Sequence, residues 1–152
     1  MGNFHDTYYN LLYKARTALD FFDTSCRAKA LILMDDDIVI RHPAIFNNNI
    51  SKSTFDFRFF KGSVLRGDMI VCLNYAFIDK DVLRWGKWKV TAAQYNVRKY
   101  PNFCNGAGIA FTRQAAKKIL VKSAETKPFH LDDVYISGIL RRKANVPLFA
   151  ES

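Results

Sequence analysis

ALILMDDD, residues 30–37, decides the fold, because five apolar residues lead directly into three aspartates. The continuous apolar run predicts a strand buried on both faces in a largely parallel sheet. In extended backbone the side chains of Asp35 and Asp37 point to one side and that of Asp36 to the other. Adjacent carboxylates repel one another, and a divalent cation relieves the repulsion most directly. The alternative is an acidic surface turn, but open α/β folds bind ligands where a buried strand ends.

Helical and strand-like patterns alternate on both sides of this stretch, which predicts an α/β fold. Apolar residues recur every three or four positions over residues 6–22, so a helix capped by Asp6 or Thr7 is expected there. Thr112 is expected to cap a second helix, and residues 132–143 are expected to form a third. Strands are predicted at 30–34, 38–40, 69–73, 87–90 and 109–111, with a loop at 47–60 and a turn-rich segment at 100–108.

The composition is that of one globular domain with a basic surface. The chain has 152 residues, of which 49% are hydrophobic and 24% charged, and this excludes a disordered or fibrous protein. A net charge of +9 attracts nucleic acid, phospholipid headgroups or a phosphorylated small molecule, and an ordinary solvated surface is equally compatible with it. No signal peptide is recognisable, and the longest apolar run, residues 30–34, is too short to cross a bilayer.

The cysteines do not form a metal-binding pattern. Cys26, Cys72 and Cys104 are far apart in the sequence and none belongs to a Cys-x-x-Cys pair, which argues against a structural zinc site. In a cytosolic protein all three would be buried thiols, and this is the interpretation that the residues alone support.

A second acidic pair, Asp132 and Asp133, stands at the start of the last predicted helix. Aspartate caps helices well, which is the simpler interpretation. In the functional interpretation one carboxylate caps the helix and the other acts as a general base toward an acceptor hydroxyl.

Glycines and aromatic residues add weaker signals. Gly106 and Gly108 allow the backbone to approach a ligand closely, although a tight turn explains them equally well. Most aromatic residues of a small domain belong to its core. Four that could instead stack on a sugar or a base are Trp85, Trp88, Tyr95 and Tyr100.

Five segments, taken in order, carry a resemblance to a known family. They are FHDTYYNL at 4–11 followed by Lys14, Cys26 ahead of the acidic triplet, KWKV at 87–90, YPNFCNGAG at 100–108 and LDDVYISG at 131–138. Together they resemble the β-1,3-glycosyltransferase family, the galactosyltransferase and N-acetylglucosaminyltransferase group that uses UDP-sugars. Five ordered matches over nearly the whole chain are far more specific than any single one.

The resemblance implies a GT-A-like fold, which is a Rossmann-like α/β/α sandwich. Residues 1–152 would then form a single partial catalytic domain, truncated at both ends. The implied enzyme is an inverting, UDP-sugar-dependent hexosyltransferase. It would transfer a hexose or N-acetylhexosamine to a 3-hydroxyl of a glycan acceptor on protein or lipid, forming a β-1,3 linkage.

The resemblance also implies a role for each acidic residue. Asp37 matches the principal Mn²⁺ ligand of the family's DxD motif, and Asp35 matches a supporting ligand. Asp133 matches the catalytic base, which deprotonates the attacking hydroxyl while the metal stabilises the departing UDP. The residues implied to bind the nucleotide sugar are Asp35, Asp36, Gly106 and Gly108.

The resemblance further implies a location on the lumenal side of the Golgi membrane, held by a signal anchor that is missing from this chain. That lumen is oxidising, so cysteines at family positions are expected in disulfides. Cys26 and Cys104 occupy such positions and would be bonded to each other or to a partner absent from the chain.

Two other functions remain open at this point. A catalytically inactive member of the family could bind a nucleotide sugar or a partner protein without turnover. A nucleic-acid enzyme could use the aspartates for two-metal chemistry. The second function leaves KWKV and the Cys-x-Gly-x-Gly segment unexplained, so no nucleic-acid partner is predicted.

Overall fold

Helices and two small sheets make up residues 10–35 and 67–150, which are the residues that the computed structural model describes. The four-stranded sheet has the order β1-β5-β2-β6, and the two-stranded sheet pairs β3 with β4. The elements are α1 Leu11–Thr24, β1 Ala30–Leu33, β2 Ile70–Cys72, β3 Ala76–Phe77, β4 Phe103–Cys104, β5 Ile109–Thr112, α2 Arg113–Glu125, a π-helix Val134–Leu140, α3 Arg141–Lys143 and β6 Leu148–Ala150. The arrangement is mixed α/β, as predicted.

The larger sheet is mostly antiparallel, so the expectation of a largely parallel sheet is wrong. Strand β5 runs antiparallel to both β1 and β2, and among the strands in the described ranges only β2 and β6 are parallel. A run of apolar residues reports burial but contains no information about strand direction. The burial of β1 also differs from the prediction, because all four of its residues are only half-buried. In the larger sheet the fully buried strands are β2 and β5.

The described part of helix α1 confirms the predicted apolar spacing, and α2 begins at its predicted cap. The Thr112 side chain accepts a hydrogen bond from the Ala115 N–H (3.2 Å), which is the predicted cap of α2. Helix α1 ends two residues after its predicted end at residue 22, and its predicted caps, Asp6 and Thr7, lie outside the described residues. The buried positions are Leu12, Ala15, Leu19 and Phe22 in α1 and Ala115, Ala116, Ile119 and Ser123 in α2.

Arg113 joins the two long helices. Its guanidinium donates hydrogen bonds to the carbonyls of Phe22, Asp23, Cys26 and Ala28, which follow one another around the end of α1. A cation at a helix C-terminus is favoured by the helix dipole. The contact therefore fixes the end of α1 against the start of α2.

The segment KWKV, residues 87–90, is a turn and not the predicted strand. Gly86 adopts a left-handed conformation (φ +82°), and its carbonyl accepts from the Lys89 N–H (3.3 Å). The Arg84 guanidinium donates to three carbonyls across this loop, including that of Val90 (3.0 Å). The alternating pattern reflects a surface loop in which Val90 is buried. The predicted strand at 38–40 and loop at 47–60 lie outside the described residues.

The last predicted helix has the expected extent, because residues 132–143 are helical throughout. Its central seven residues, however, form a π-helix. Among the helices of the described ranges, none combines the length and apolarity needed to span a membrane.

The disulfide joins Cys72 to Cys104, and Cys26 is a free, half-buried thiol. Cys104 is therefore in a disulfide, as expected, but its partner is Cys72, so the alternative that pairs it with Cys26 is wrong. A bond from Cys26 to a partner absent from this chain stays a prediction. The reason is topological: β2 leads into β3, which pairs with β4, so Cys72 and Cys104 lie with their Cα atoms 5.0 Å apart. Cys26 lies between α1 and β1, where its carbonyl binds Arg113.

Candidate functional site

Three residues predicted for the site meet at the turn between β4 and β5. A Cβ atom placed on Gly106 would lie 3.7 Å from Asp35 Oδ2 and 3.8 Å from Asp133 Oδ2. Asp35 arrives from β1, which pairs with β5, and Asp133 arrives from the residue before the π-helix. Two carboxylates from distant parts of the chain thus face the space above a residue that has no side chain.

Gly108 serves the packing of the sheet. A Cβ atom there would lie 3.1 Å from the Leu73 Cβ, which is closer than side chains normally approach. The Gly108 carbonyl also accepts a hydrogen bond from the Leu73 N–H (2.9 Å). The role of Gly108 in nucleotide-sugar binding stays a prediction.

The side chain of Asp133 is oriented by a local hydrogen bond. Its Oδ1 accepts from the Val134 N–H (2.7 Å), which holds one oxygen against the helix start and leaves Oδ2 toward Gly106. The pKa of Asp133 is raised to about 6. Burial is the main cause, the charges of Asp132 and Asp35 add to it, and the hydrogen bond from the Val134 N–H opposes the increase. A carboxyl group with a pKa near neutrality is suited to accept and release a proton.

Asp132 completes an electrostatically coupled group of carboxylates. Burial is the main cause that raises the pKa of Asp132, and the charge of Asp35 adds to it. Since each carboxylate makes ionisation of the others harder, a cation at this place would relieve the repulsion. The three carboxylates that the structure describes here are Asp35, Asp132 and Asp133.

The donor atoms fit a hard divalent cation such as Mn²⁺, which prefers carboxylate oxygens. Within residues 10–35 and 67–150 no three ligating side chains converge on one metal position. Asp36 and Asp37 lie outside those ranges. The role of Asp37 as principal ligand stays a prediction, as does that of Asp36 in binding the nucleotide sugar.

The four aromatic candidates separate into two groups. Tyr95 and Tyr100 pack on each other and on Phe129 and belong to the core. Trp85 is 78% exposed and Trp88 38% exposed, and Lys87 Nζ lies 4.5 Å from the centre of the Trp88 ring. Of the four, only the tryptophans are exposed to solvent.

Sequence analysis missed two residues that shape the site. The side-chain Oδ1 of Asn105 accepts a hydrogen bond from the Ala107 N–H (3.0 Å), and the main-chain N–H of Asn105 donates to the Tyr75 carbonyl (3.0 Å). These two bonds hold the turn that contains Gly106. An asparagine before a glycine is a turn signal that could have identified it. Ser137 is the second residue, and a lone serine in a helical pattern gives no comparable signal.

Comparison with known proteins adds an independent line of evidence. A family model described as Galactosyltransferase matches residues 1–151. The chain is 31% identical to Beta-1,3-galactosyltransferase 1 of Mus musculus and of Homo sapiens over 152 residues, which is 99% of this chain and 43% of theirs. It is 30% identical to Beta-1,3-galactosyltransferase 2 of Homo sapiens over 144 residues, which is 93% of this chain and 31% of that protein.

The matches cover nearly all of this chain but only part of each relative. The family model covers nearly every residue, including all the predicted site residues. The chain spans less than half the length of the curated relatives it matches. Because the family match runs along the whole chain, this protein belongs to the galactosyltransferase family.

Proposed function

We propose that this chain carries catalytic residues of an inverting glycosyltransferase with a GT-A fold. The proposed reaction transfers a hexose or N-acetylhexosamine from a UDP-sugar to a 3-hydroxyl of a glycan acceptor on protein or lipid, with formation of a β-1,3 linkage. The observation that carries the proposal is the meeting of Asp35 and Asp133 above Gly106. The family and the names of the relatives supply the reaction class.

Asp133 is the general base in this proposal. Its Oδ2 lies on the side of Gly106, where the missing side chain would let an acceptor hydroxyl approach within hydrogen-bond distance. The Val134 N–H holds Oδ1, so the carboxylate accepts the proton in one orientation. The raised pKa of Asp133 makes it a better proton acceptor than an ordinary aspartate, and the carboxylate is still ionised at neutral pH.

Asp35 belongs to the donor side of the site. With Asp36 and Asp37 it would hold Mn²⁺ and the diphosphate of the donor. When bound, the metal offsets the negative charge that develops on the departing UDP. Because Gly106 has no side chain, its backbone would let the reacting sugar approach the Asp35 and Asp133 carboxylates closely. A net charge of +9 favours an anionic donor of this kind.

The proposed location is the lumenal side of the Golgi membrane. The disulfide between Cys72 and Cys104 supports it, because disulfides form and persist in oxidising compartments. The proposed role is in glycosylation of proteins or lipids, with membrane attachment through a signal anchor.

The proposal is tested in two steps, binding and transfer. Calorimetric titration with UDP in the presence and absence of Mn²⁺ measures donor binding. A transfer assay with UDP-galactose and UDP-N-acetylglucosamine on β-linked acceptor glycans then measures turnover. Asp133→Asn is expected to lower kcat about 10²- to 10⁴-fold, because it removes the proton acceptor and preserves the shape of the side chain.

Glu125→Gln is the matched control, since it makes the same change to an exposed carboxylate that pairs with Lys122 at the end of α2. Its kcat should equal that of the wild type. Metal-dependent UDP binding without transfer would favour a nucleotide-sugar-binding protein that lacks turnover. Equal kcat values for Asp133→Asn and the wild type would refute Asp133 as the base.

A further inference from the structure

The π-helix follows Asp133 directly and is buried along almost its whole length. Six of its seven residues are buried, namely Val134, Tyr135, Ile136, Ser137, Gly138 and Leu140. π-Helices are rare, mostly form short insertions in α-helices, and are frequent at functional sites. This one begins at the proposed base.

Ser137 links the π-helix to the neighbouring strand. Its hydroxyl donates to the Asp133 carbonyl (2.6 Å) and accepts from the Cys104 N–H (2.9 Å). The side chain of Ser137 is fully buried. A helical serine often donates to the carbonyl four residues before it, but such a bond stays within one helix. Here the same oxygen also satisfies a buried strand amide, so the main chain of Asp133 is joined to β4.

Two further contacts hold the same helix to the same segment. At Gly138 a Cβ atom would lie 3.1 Å from the Phe103 Cβ, so the helix lies very close to β4. One turn later the Arg141 guanidinium donates to the Asn102 carbonyl (3.2 Å) and to the Ser137 carbonyl (2.8 Å). Three successive residues, Asn102, Phe103 and Cys104, thus determine where the helix lies.

The position of β4 is itself fixed relative to the site. Cys104 is bonded to Cys72 at the end of β2, and Gly106 follows Cys104 by two residues. A shift of Asp133 away from Cys104 is therefore also a shift away from Gly106 and Asp35. Of the three contacts to residues 102–104, the Ser137 link is the one that bonds directly to the main chain of Asp133.

Ser123 provides an internal comparison. It is a buried serine in α2, and its hydroxyl donates to the Leu120 carbonyl (2.7 Å). No contact to another element is recorded for this hydroxyl within the described part of the chain. The bridge made by Ser137 is thus a feature of its position and not of buried helical serines in general.

We propose that Ser137 is a positioning residue that holds the main chain of Asp133 against Cys104, so that the Asp133 carboxylate faces the acceptor above Gly106. This inference rests on the proposed role of Asp133 as the base. A displacement of about 1 Å at a reacting group can lower the rate about 100-fold. Loss of the Ser137 hydroxyl would act on kcat, because donor binding depends on other residues.

The test compares Ser137→Ala with Ser123→Ala in the full-length enzyme. Each substitution removes one buried hydroxyl and nearly preserves side-chain volume. Ser137→Ala is expected to lower kcat about tenfold or more and to change the KM for the donor less than about twofold. Ser123→Ala is expected to leave both constants unchanged. Equal kcat values for Ser137→Ala and the wild type would overturn the proposal.

A second readout does not depend on turnover. Hydrogen exchange should become faster at the Cys104 and Val134 amides in Ser137→Ala and stay at the wild-type rate in Ser123→Ala. If the wild type transfers no sugar, the proposed function fails, and the exchange rates alone decide whether Ser137 holds Asp133. Unchanged protection at both amides would refute the link.

Gly138→Ala reaches the same contact by another route and covers the case in which Ser137→Ala does not fold. The added methyl group would press on the Phe103 side chain and move the π-helix away from β4. A folded Gly138→Ala enzyme should therefore show a lowered kcat with a nearly unchanged donor KM. A wild-type kcat in that variant would contradict positioning through β4.

Discussion

Helix α2 and the π-helix differ in what surrounds them. Helix α2 buries one stripe of small and branched residues and exposes the opposite side, including Val121. The π-helix is buried nearly all round, yet Ser137 within it and the residues that flank it, Asp133 and Arg141, make polar links. A helix that packs on one side needs only one apolar stripe, and the regular α-helical repeat of about 3.6 residues per turn provides it. The chain changes from an α-helix to a π-helix where the helix has contacts on several sides and follows the proposed reacting carboxylate.

Removal of the disulfide is expected to cause the largest change in stability and to affect the π-helix more than α2. Replacing both Cys72 and Cys104 with alanine is expected to lower the free energy of unfolding by about 3–4 kcal/mol, because the unfolded chain is no longer cross-linked. Chemical denaturation measures the loss. Hydrogen exchange should increase more in the π-helix, which packs on β4, than in α2.

Cys26→Ser is the control for the disulfide, since Cys26 is a free thiol. It should leave the free energy of unfolding close to that of the wild type. An equal increase of exchange in α2 and the π-helix would show that the disulfide stabilises the whole chain without distinction.

Asp133, at the start of the π-helix, has a raised pKa, so the free energy of unfolding should depend on pH. The folded protein holds this proton more tightly than the unfolded chain, so the stabilisation is complete below pH 3.8 and lost as the pH rises through about 6. In the wild type this amounts to a loss of about 3 kcal/mol. Denaturation at several pH values in the presence of a chelator measures it.

Asp133→Asn should remove this part of the pH dependence. The difference in unfolding free energy between variant and wild type should grow in favour of the variant from pH 4 to pH 7. A difference that stays constant over this range would contradict the raised pKa. Glu125→Gln at the end of α2 should not alter the pH profile in this way.

Substitution of Thr112 at the start of α2 is expected to have the smallest effect on stability. Thr112→Ala removes the hydroxyl that accepts from the Ala115 N–H and also bonds to the Met69 main chain. The loss of such a cap is expected to cost about 1–2 kcal/mol of stability, and kcat should stay at the wild-type value. Thermal unfolding and the transfer assay measure the two quantities.

Thr112→Ser keeps the hydroxyl and should recover most of the lost stability. A large drop in kcat for Thr112→Ala would mean that α2, like the π-helix, determines the geometry of the site. The contrast between the two helices would then be wrong.

Local rules predicted the regular parts of the structure. Thr112 as a cap and the buried face of α2 follow from residue type and spacing alone. The approach of Asp35 to Asp133 is not a local property, and the resemblance to the family is what placed both in one site. Strand direction was missed because an apolar run such as residues 30–34 is compatible with either direction.

The remaining differences come from contacts between distant segments. The partner of Cys104 depends on the pairing of β3 with β4, which no cysteine spacing reveals. The turn at KWKV follows from the left-handed Gly86 and from the carbonyls that Arg84 binds. The π-helix requires Ser137 and Gly138 to meet β4 together, and neither residue alone signals a change of register.

The order of the larger sheet has a consequence for how the chain folds. Strand β1 pairs with β5 at Ala30 and Thr112, and β2 pairs with β6 at Ile70 and Leu148. Closing such long loops is entropically costly before any strand contact forms, so we expect slow folding. During synthesis β2 leaves the ribosome well before β6, which is its parallel partner. Until β6 is made, the edge of β2 that will pair with it is unpaired and could pair with another nascent chain.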